Sequence, residues 1–256
     1  RYNMDKLTGK TAIITGGASG IGKAVAEVFA EADIRGVVIA DIDGKAAETV
    51  AIDLRHRFGI DAIGVAVDVA VSAQVDAMVE STETHFQQLD ILVNNAGIAP
   101  VVPWSEVTET NWRRVLDINL NGAFLCMLAV MPIMQKQQAG RIVNVSSAGA
   151  FVGSVCAHPA YGVSKAGMIA MTKSAAKEFA ADGLRVNAIA PGYVSTDNTQ
   201  AIRDDPVRSE QILGRIPAGR WGTLEDFKGI AVYLASEASD YVHGSIMLVD
   251  GGWMGR

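Results

Sequence analysis

The chain has 256 residues, 49% apolar and only 20% charged, which excludes a disordered chain and supplies material for a large core. Its 22 basic and 28 acidic side chains give a net charge of −6, which argues against nucleic acid or an anionic membrane as the main partner. Two cysteines, Cys126 and Cys156, are too few for a disulfide framework and lack metal-ligand spacing, and no stretch holds the ~18 consecutive apolar residues of a membrane span, so a cytoplasmic protein without a metal is expected.

Along the chain, short β-branched runs at 11–15, 37–41, 62–67, 91–94, 141–145, 185–189 and 246–250 read as strands that are apolar on both faces, as in a buried parallel sheet. Helix-length stretches with apolar residues every three or four positions lie between them, for instance 21–32, 71–86, 112–134 and 161–180. Strand and helix alternate without a Pro/Ser-rich linker or charge block. The pattern predicts an α/β protein with one doubly wound domain over 1–256, a seven-stranded parallel sheet carrying helices on both faces. The rhythm breaks after Pro191, where prolines and charges crowd a long connection. A connection of that length is usually functional, and 194–222 is expected to form a lid over a substrate.

The first strand runs into Thr15-Gly16-Gly17-Ala18-Ser19-Gly20-Ile21-Gly22, and a helix follows. Glycines there let the backbone approach a diphosphate, while free amides at the helix start supply donors and positive partial charge. The spacing, Gly-x-x-x-Gly-x-Gly, is not the commoner G-x-G-x-x-G, and a glycine turn also serves packing alone. Asp41, at the end of the second strand with Ile42 beside it, is suited to accept both hydroxyls of an adenosine ribose and to repel a 2′-phosphate, which favours NAD over NADP. Lys45 nearby weakens that preference, and the lesser alternative for Asp41 is a helix cap ahead of Gly44.

Later in the chain, Tyr161 and Lys165 share one face at the start of a helix. Spacing does not single them out, because Tyr2 and Lys6 repeat it in a polar tail. What favours Tyr161 is the strand at 141–145, which delivers Ser146 and Ser147 at its carboxyl end, where open α/β sheets bind ligands. A phenol of pKa about 10 becomes a usable base beside an ammonium and an oxidised nicotinamide, with a serine hydroxyl holding the same substrate oxygen. Asn119 stands mid-helix, where asparagine is only a modest helix former, so it either carries a polar task or bonds backbone. Ser146 and Ser147 likewise either act or merely cap.

The turn from Thr15 to Gly22, Asp68-Val69, Asn94-Asn95-Ala96-Gly97, Asn119, Ser147, Tyr161 with Lys165, and Pro191-Gly192 together resemble the motif set of the short-chain dehydrogenases/reductases, in that family's chain order. The likeness covers about residues 6–252. It implies a Rossmann-type subunit, usually a homotetramer, with Tyr161 as acid/base, Lys165 binding the nicotinamide ribose, Ser147 orienting substrate and Asn119 holding a water of a proton relay. It further implies a dinucleotide held by Gly16, Ser19, Gly20, Ile21, Gly22, Asn95, Ala96 and Gly97, with Asp68 and Val69 at the adenine and Pro191, Gly192, Val194 and Thr196 at the nicotinamide amide. The loop between Ser147 and Tyr161 is one residue longer than is common in the family, which keeps Ser146 as a rival.

The C-terminal third is similar to the sugar-acid branch of that family, the 2-dehydro-3-deoxygluconate 5-dehydrogenases. The resemblance implies a secondary alcohol on a sugar acid or sugar alcohol, with a polyol dehydrogenase, a 3-oxoacyl reductase or a non-catalytic NAD-binding sensor as alternatives. Among Arg203, Arg208, Arg215 and Arg220, all in the lid stretch, a guanidinium suits a carboxylate, although the interleaved acids make local ion pairs the favoured reading for any single one. Trp104, His158, Asn198 and Arg203 are the expected substrate contacts beside Ser147. Trp253 and Met254, apolar at the end of the chain, suggest a subunit contact.

Overall fold

The computed structural model describes residues 6–153 and 158–255, with the side chain of Asn198 outside that description. Seven strands lie in one all-parallel sheet: β1 (Thr11–Thr15), β2 (Gly36–Asp41), β3 (Asp61–Ala66), β4 (Ile91–Asn94), β5 (Gly140–Val145), β6 (Leu184–Pro191) and β7 (Ile246–Val249). Their order is β3-β2-β1-β4-β5-β6-β7, so the winding reverses between β1 and β4. Such a switch point opens a crevice at the carboxyl ends of the strands. Burial on both faces explains the unbroken apolar runs: β1 and β4 are fully buried, whereas the edge strands β3 and β7 are partly open.

The helices are α1 (Gly20–Glu31), α2 (Gly44–Phe58), α3 (Ser72–Phe86), α4 (Glu109–Leu116), α5 (Gly122–Gln137), α6 (Gly149–Val152), α7 (Pro159–Phe179), α8 (Gln200–Arg203), α9 (Pro206–Leu213) and α10 (Glu225–Ala235). One core face packs α1, α2 and α10 on the sheet through Phe29, Leu54 and Phe227. The other packs α3, α5 and α7 through Met78, Phe86, Val130 and Ala176. The apolar stretch at 112–134 is not a simple helix. It belongs to a helical run, Glu109–Gln137, interrupted by a π-turn at Asp117–Asn121. By length and composition that run could cross a bilayer; here it packs against β4, β5 and α3. Cys126 lies fully buried on it, its thiol pushed up to about 12 by desolvation, which makes it an inert small hydrophobe. Cys156 falls outside the described residues.

A tight contact fixes the β2 edge of the second core. A Cβ added to Gly36 would stand 2.2 Å from the ring of Phe86, which is fully buried. Gly36→Ala is expected to lower the unfolding free energy by about 1–3 kcal/mol, and by less in a Phe86→Leu background, because the smaller side chain leaves room for the methyl. Urea unfolding of both pairs reads this; an equal loss in both backgrounds contradicts the contact.

Candidate active site

A cleft of about 710 Å³ runs across the carboxyl ends of the central strands. Its first half is the glycine turn. Gly16 has φ +61°, and a Cβ there would come within 2.9 Å of Ala96 Cα. Asn95 Nδ2 donates to the carbonyls of Thr15 and Gly16 at 3.1 and 2.9 Å. Thr15 Oγ1 accepts from the amides of Asn95 and Ala96, both at 3.1 Å. The end of β4 is thereby laced to the turn after β1, a task for Thr15 that motif spacing alone does not show. Gly16, Ser19, Gly20, Ile21, Asn95, Ala96 and Gly97 all face the cleft. Gly22 does not: a Cβ on it would sit 2.3 Å from the Gly16 carbonyl oxygen, so it lies under the turn and packs rather than binds.

Ser19 is the N-cap residue of α1, yet its hydroxyl makes no capping bond. That hydroxyl and the first-turn amides are left for an anion. Asp41 accepts from the Ala18 amide through Oδ2 and from the Asp43 amide through Oδ1, both at 3.1 Å. The two bonds fix the carboxylate at the cleft wall and leave it further lone pairs. Capping of α2 falls to Asp43, which accepts from the amides of Lys45 and Ala46. Ile42 stands exposed at the rim, and Asp68 and Val69 close this end. Donors at a helix start, an anionic acceptor at the end of β2 and an apolar slot by Val69 and Ile118 fit the diphosphate, ribose and adenine of a dinucleotide.

The second half is built where β5 meets α7. Lys165 is only 4% exposed, and its Nζ donates to the Val145 carbonyl at 2.7 Å. Desolvation pulls its pKa from 10.5 down to about 8. The ammonium remains the main form at neutral pH, with two donors still to spend. Since the folded value lies below the unfolded one, the stability penalty of this lysine is complete below pH 8 and recedes as pH rises towards 10.5. Lys165 Nζ lies 5.9 Å from the centre of the Tyr161 ring. The Tyr161 phenol is raised by burial and pulled back by a hydrogen bond with Ser147. Ser147 also accepts from the Gly149 amide at 3.1 Å, which aims it into the cleft. Ser146 settles the rivalry differently: it is buried, and its hydroxyl donates to the Lys165 carbonyl at 2.9 Å.

Asn119 sits in the π-turn, where Gly122 donates to the carbonyl of Asp117, five residues back. Wide turns of this kind often mark functional positions within helices. Its side chain is fully buried and exchanges both amide bonds with Ile98, each at 2.8 Å, and donates to Ser164 Oγ at 3.3 Å. The side-chain amide is therefore committed to clamping the loop after β4 against α7. Pro191 ends β6, and Gly192, Val194 and Thr196 follow it along the cleft, with Gly192 held so close that a Cβ would meet Asp250 Cα at 2.7 Å.

Three expected substrate contacts are not brought into the cleft. His158 is fully buried; Nδ1 accepts from the Ala160 amide and Nε2 pairs with Asn111 Oδ1 at 2.9 Å, so it caps α7. Trp104 is 75% exposed on a single turn before α4, outside the cleft lining. Arg203 is turned back to the Thr196 carbonyl and Gln200 Oε1. The side chain of Asn198 lies outside the described residues. In their place the wall holds Thr199, Ile202, Arg215, Tyr193 and Trp253. Trp253 packs on Tyr193 with ring centres 5.0 Å apart. Of the second Tyr-Lys pair, Lys6 pairs with Asp33 across the surface, and Tyr2 lies outside the described residues.

Two measurements test this geometry. Tyr161→Phe is expected to cut turnover by about 10²–10⁴-fold while leaving dinucleotide affinity within about twofold, by calorimetry, because it deletes one proton donor and acceptor and little else. A tyrosine acting as a base does so as the phenolate, so a rate that depends on proton removal by Tyr161 is expected to rise with pH through its pKa. Ser147→Ala removes the bond that lowers that pKa, so the rising limb of kcat/KM moves to higher pH; a limb that stays in place contradicts the Ser147–Tyr161 contact.

Residues 16–254 match the family model described as enoyl-(acyl carrier protein) reductase. A 2-dehydro-3-deoxy-D-gluconate 5-dehydrogenase from Pseudoalteromonas atlantica is 43% identical over 253 residues, 98% of each chain. The Bacillus subtilis protein of the same description is 43% identical over 257 residues, covering 100% of this chain and 98% of its own. Among solved structures, a gluconate 5-dehydrogenase from Burkholderia cenocepacia J2315 in complex with NADP and tartrate superposes with a TM-score of 0.94 at 35% identity, covering 99% of this chain and 98% of that one. With the glycine turn on β1 and the Ser147, Tyr161 and Lys165 cluster at the end of β5 in a single cleft, the chain belongs to the short-chain dehydrogenase/reductase family.

Proposed function

We propose that the protein interconverts a secondary alcohol and a ketone on a sugar acid, using NAD in preference to NADP. The observation that carries the reaction class is that Ser147, Tyr161 and the buried Lys165 ammonium stand together in the same cleft as the glycine turn. The relatives described as sugar-acid dehydrogenases support the substrate class. Bound across the two halves, a nicotinamide dinucleotide supplies the acceptor and donor of hydride. The protein's own part is to handle the proton and orient the carbon. Ser147 Oγ holds the substrate oxygen while Tyr161 Oη, as phenolate, takes the hydroxyl proton. Lys165 favours the phenolate by its charge and has donors left for a ribose. In the ketone direction Tyr161 Oη returns the proton.

The preference for NAD rests on Asp41. Its carboxylate is held at the end of β2, where a 2′-phosphate would bring a second anion, and Lys45 is not part of the cleft wall. The Burkholderia neighbour carries NADP, so the preference in this chain depends on its own residues at that position. A homotetramer is supported by Phe124 and Leu128 on α5 and Val163 on α7, which expose apolar surface on the outside of the sheet's helical layer.

A panel of sugar acids, alditols and acyl thioesters with each dinucleotide, read by nicotinamide absorbance, separates the substrate classes. Turnover is expected with sugar acids and NAD; turnover of acyl thioesters alone overturns the substrate assignment. Asp41→Ala is expected to narrow the ratio of kcat/KM for NAD over NADP by about tenfold or more, as loss of one charge repulsion and of ribose hydrogen bonds predicts. An unchanged ratio removes Asp41 from cofactor selection.

A further inference from the structure

The connection over the cleft carries four arginines, and three of them are occupied. Arg203 donates to the Thr196 carbonyl and to Gln200 Oε1. Arg208 pairs with Asp205 at 3.6 Å. Arg220 grips both oxygens of Asp226 at 2.7 and 2.8 Å, and Asp226 is further held by the Thr223 amide. Arg215 is the exception: its guanidinium has no hydrogen-bond or ion-pair partner among the described residues, and it lines the cleft.

Arg215 is also mounted on a rigid support. It lies between Ile212 and Ile216, buried residues that form a small core of the lid with Ile202 and pack against Tyr193 and Trp221. The Arg215 amide donates to the Ile212 carbonyl at 2.9 Å, at the end of α9. Ile216 sits over Gly251, where a Cβ would be 2.8 Å from its Cγ2, and the Ala218 amide donates to the Gly251 carbonyl at 3.0 Å. The backbone is thus pinned to the lid core on one side and to the chain after β7 on the other. A planar fork with five donors, held on a fixed base, suits a carboxylate.

Position within the cleft selects which carboxylate. The lid rises from the end of β6, which pairs with β5, and the Ala148 amide next to Ser147 donates to the Pro191 carbonyl at 2.8 Å. Arg215 therefore belongs to the wall that the connection after β6 and the chain after β7 contribute, on the side of the sheet where β5 delivers Ser147. The other arginine of the cleft wall, Arg114, lies on α4, one turn after Asn111, whose Oδ1 pairs with His158 at the start of α7, so it approaches from the opposite wall. Among the residues of α4 only Val115 is buried, so Arg114 lacks the pinned base that carries Arg215. Lys165 spends one donor on the Val145 carbonyl, and its remaining donors are assigned to the nicotinamide ribose in the reading above.

We propose that Arg215 is the specificity-determining residue that grips the carboxylate of the sugar-acid substrate while Ser147 and Tyr161 hold the reacting alcohol. The proposal rests on the sugar-acid reading above. Without the guanidinium, a sugar acid loses its charge-assisted pair and competes on its hydroxyls alone. The expected effect falls on KM, because the carboxylate pairs alike in the ground and transition states.

The test uses the purified enzyme with NAD. Arg215→Met is expected to raise KM for the sugar acid about 10- to 100-fold and to weaken tartrate, as a dicarboxylate competitor, by a similar factor, as loss of a charged hydrogen-bond pair implies. Arg215→Lys, which keeps the charge without the fork, should fall between. NAD affinity, measured by calorimetry, should stay within about twofold, since Asp41, Ser19 and the glycine turn are untouched. Arg208→Met, paired on the lid surface, should match wild type. Equal KM and tartrate affinity in wild type and Arg215→Met overturns the assignment of Arg215. A wild-type enzyme that turns over only uncharged substrates overturns instead the sugar-acid reading on which it rests.

Discussion

The site depends on keeping one positive charge out of water. Lys165 carries its ammonium into the end of a buried parallel strand, with a single carbonyl, that of Val145, to receive it. Burying a charge with so little compensation costs stability, and the lowered pKa of the group expresses that cost. The return is functional. A cation with little solvation beside the Tyr161 ring favours the phenolate form of a phenol that burial alone would hold neutral. The same unsolvated ammonium keeps donors for a bound ribose. Ser146, buried behind it, bonds the lysine's own carbonyl and helps fix its place on α7.

A charge in that state is tolerable only in a scaffold that cannot relax around it. Asn94 on β4 donates to Asn144 on β5 at 2.9 Å, and Asn144 donates to Thr172 on α7 at 2.9 Å. This buried chain of side chains ties the two central strands to the helix that carries Tyr161 and Lys165, although Asn94 Oδ1 has no partner in it. On the cleft side, the reciprocal bonds of Asn119 with Ile98 and the cap of His158 on α7 hold the loop after β4 against the same helix. The glycine turn is fastened to β4 through Thr15 and Asn95. The two halves of the cleft are consequently joined through β4, so a ligand spanning them meets fixed walls.

The strands were legible because parallel burial leaves little but β-branched and small residues, and the observed limits differ only at the ends, as where β6 continues to Pro191. The cleft ends of β1, β2 and β5 were legible for a related reason: glycines, an acid and a Ser, Tyr, Lys group stand at the carboxyl ends of strands whose composition is otherwise apolar. The π-turn was not, since Asp-Ile-Asn-Leu-Asn carries no local signal that distinguishes it from α-helix; only the pairing of Asn119 with a distant loop shows why the turn widens there. His158 and Trp104 were placed wrongly by proximity to motif residues, because sequence nearness does not reveal which way a short turn faces. Among the lid arginines the sequence context is nearly uniform, with acids interleaved throughout. Which one is left without a partner follows from how α8 and α9 fold back, and that is set by the small isoleucine core rather than by any local pattern.

The lysine charge is the point at which the account is most exposed. Titrating the protein with ¹³C-labelled lysine side chains, followed by NMR in the absence of dinucleotide, reads it directly, and loss of the shifted resonance in Lys165→Met assigns it. The account predicts one lysine titrating near pH 8, well below the ordinary value of 10.5. If every lysine, Lys165 included, titrates at its ordinary value, the ammonium is solvated, and the argument from its burial to the tyrosine fails.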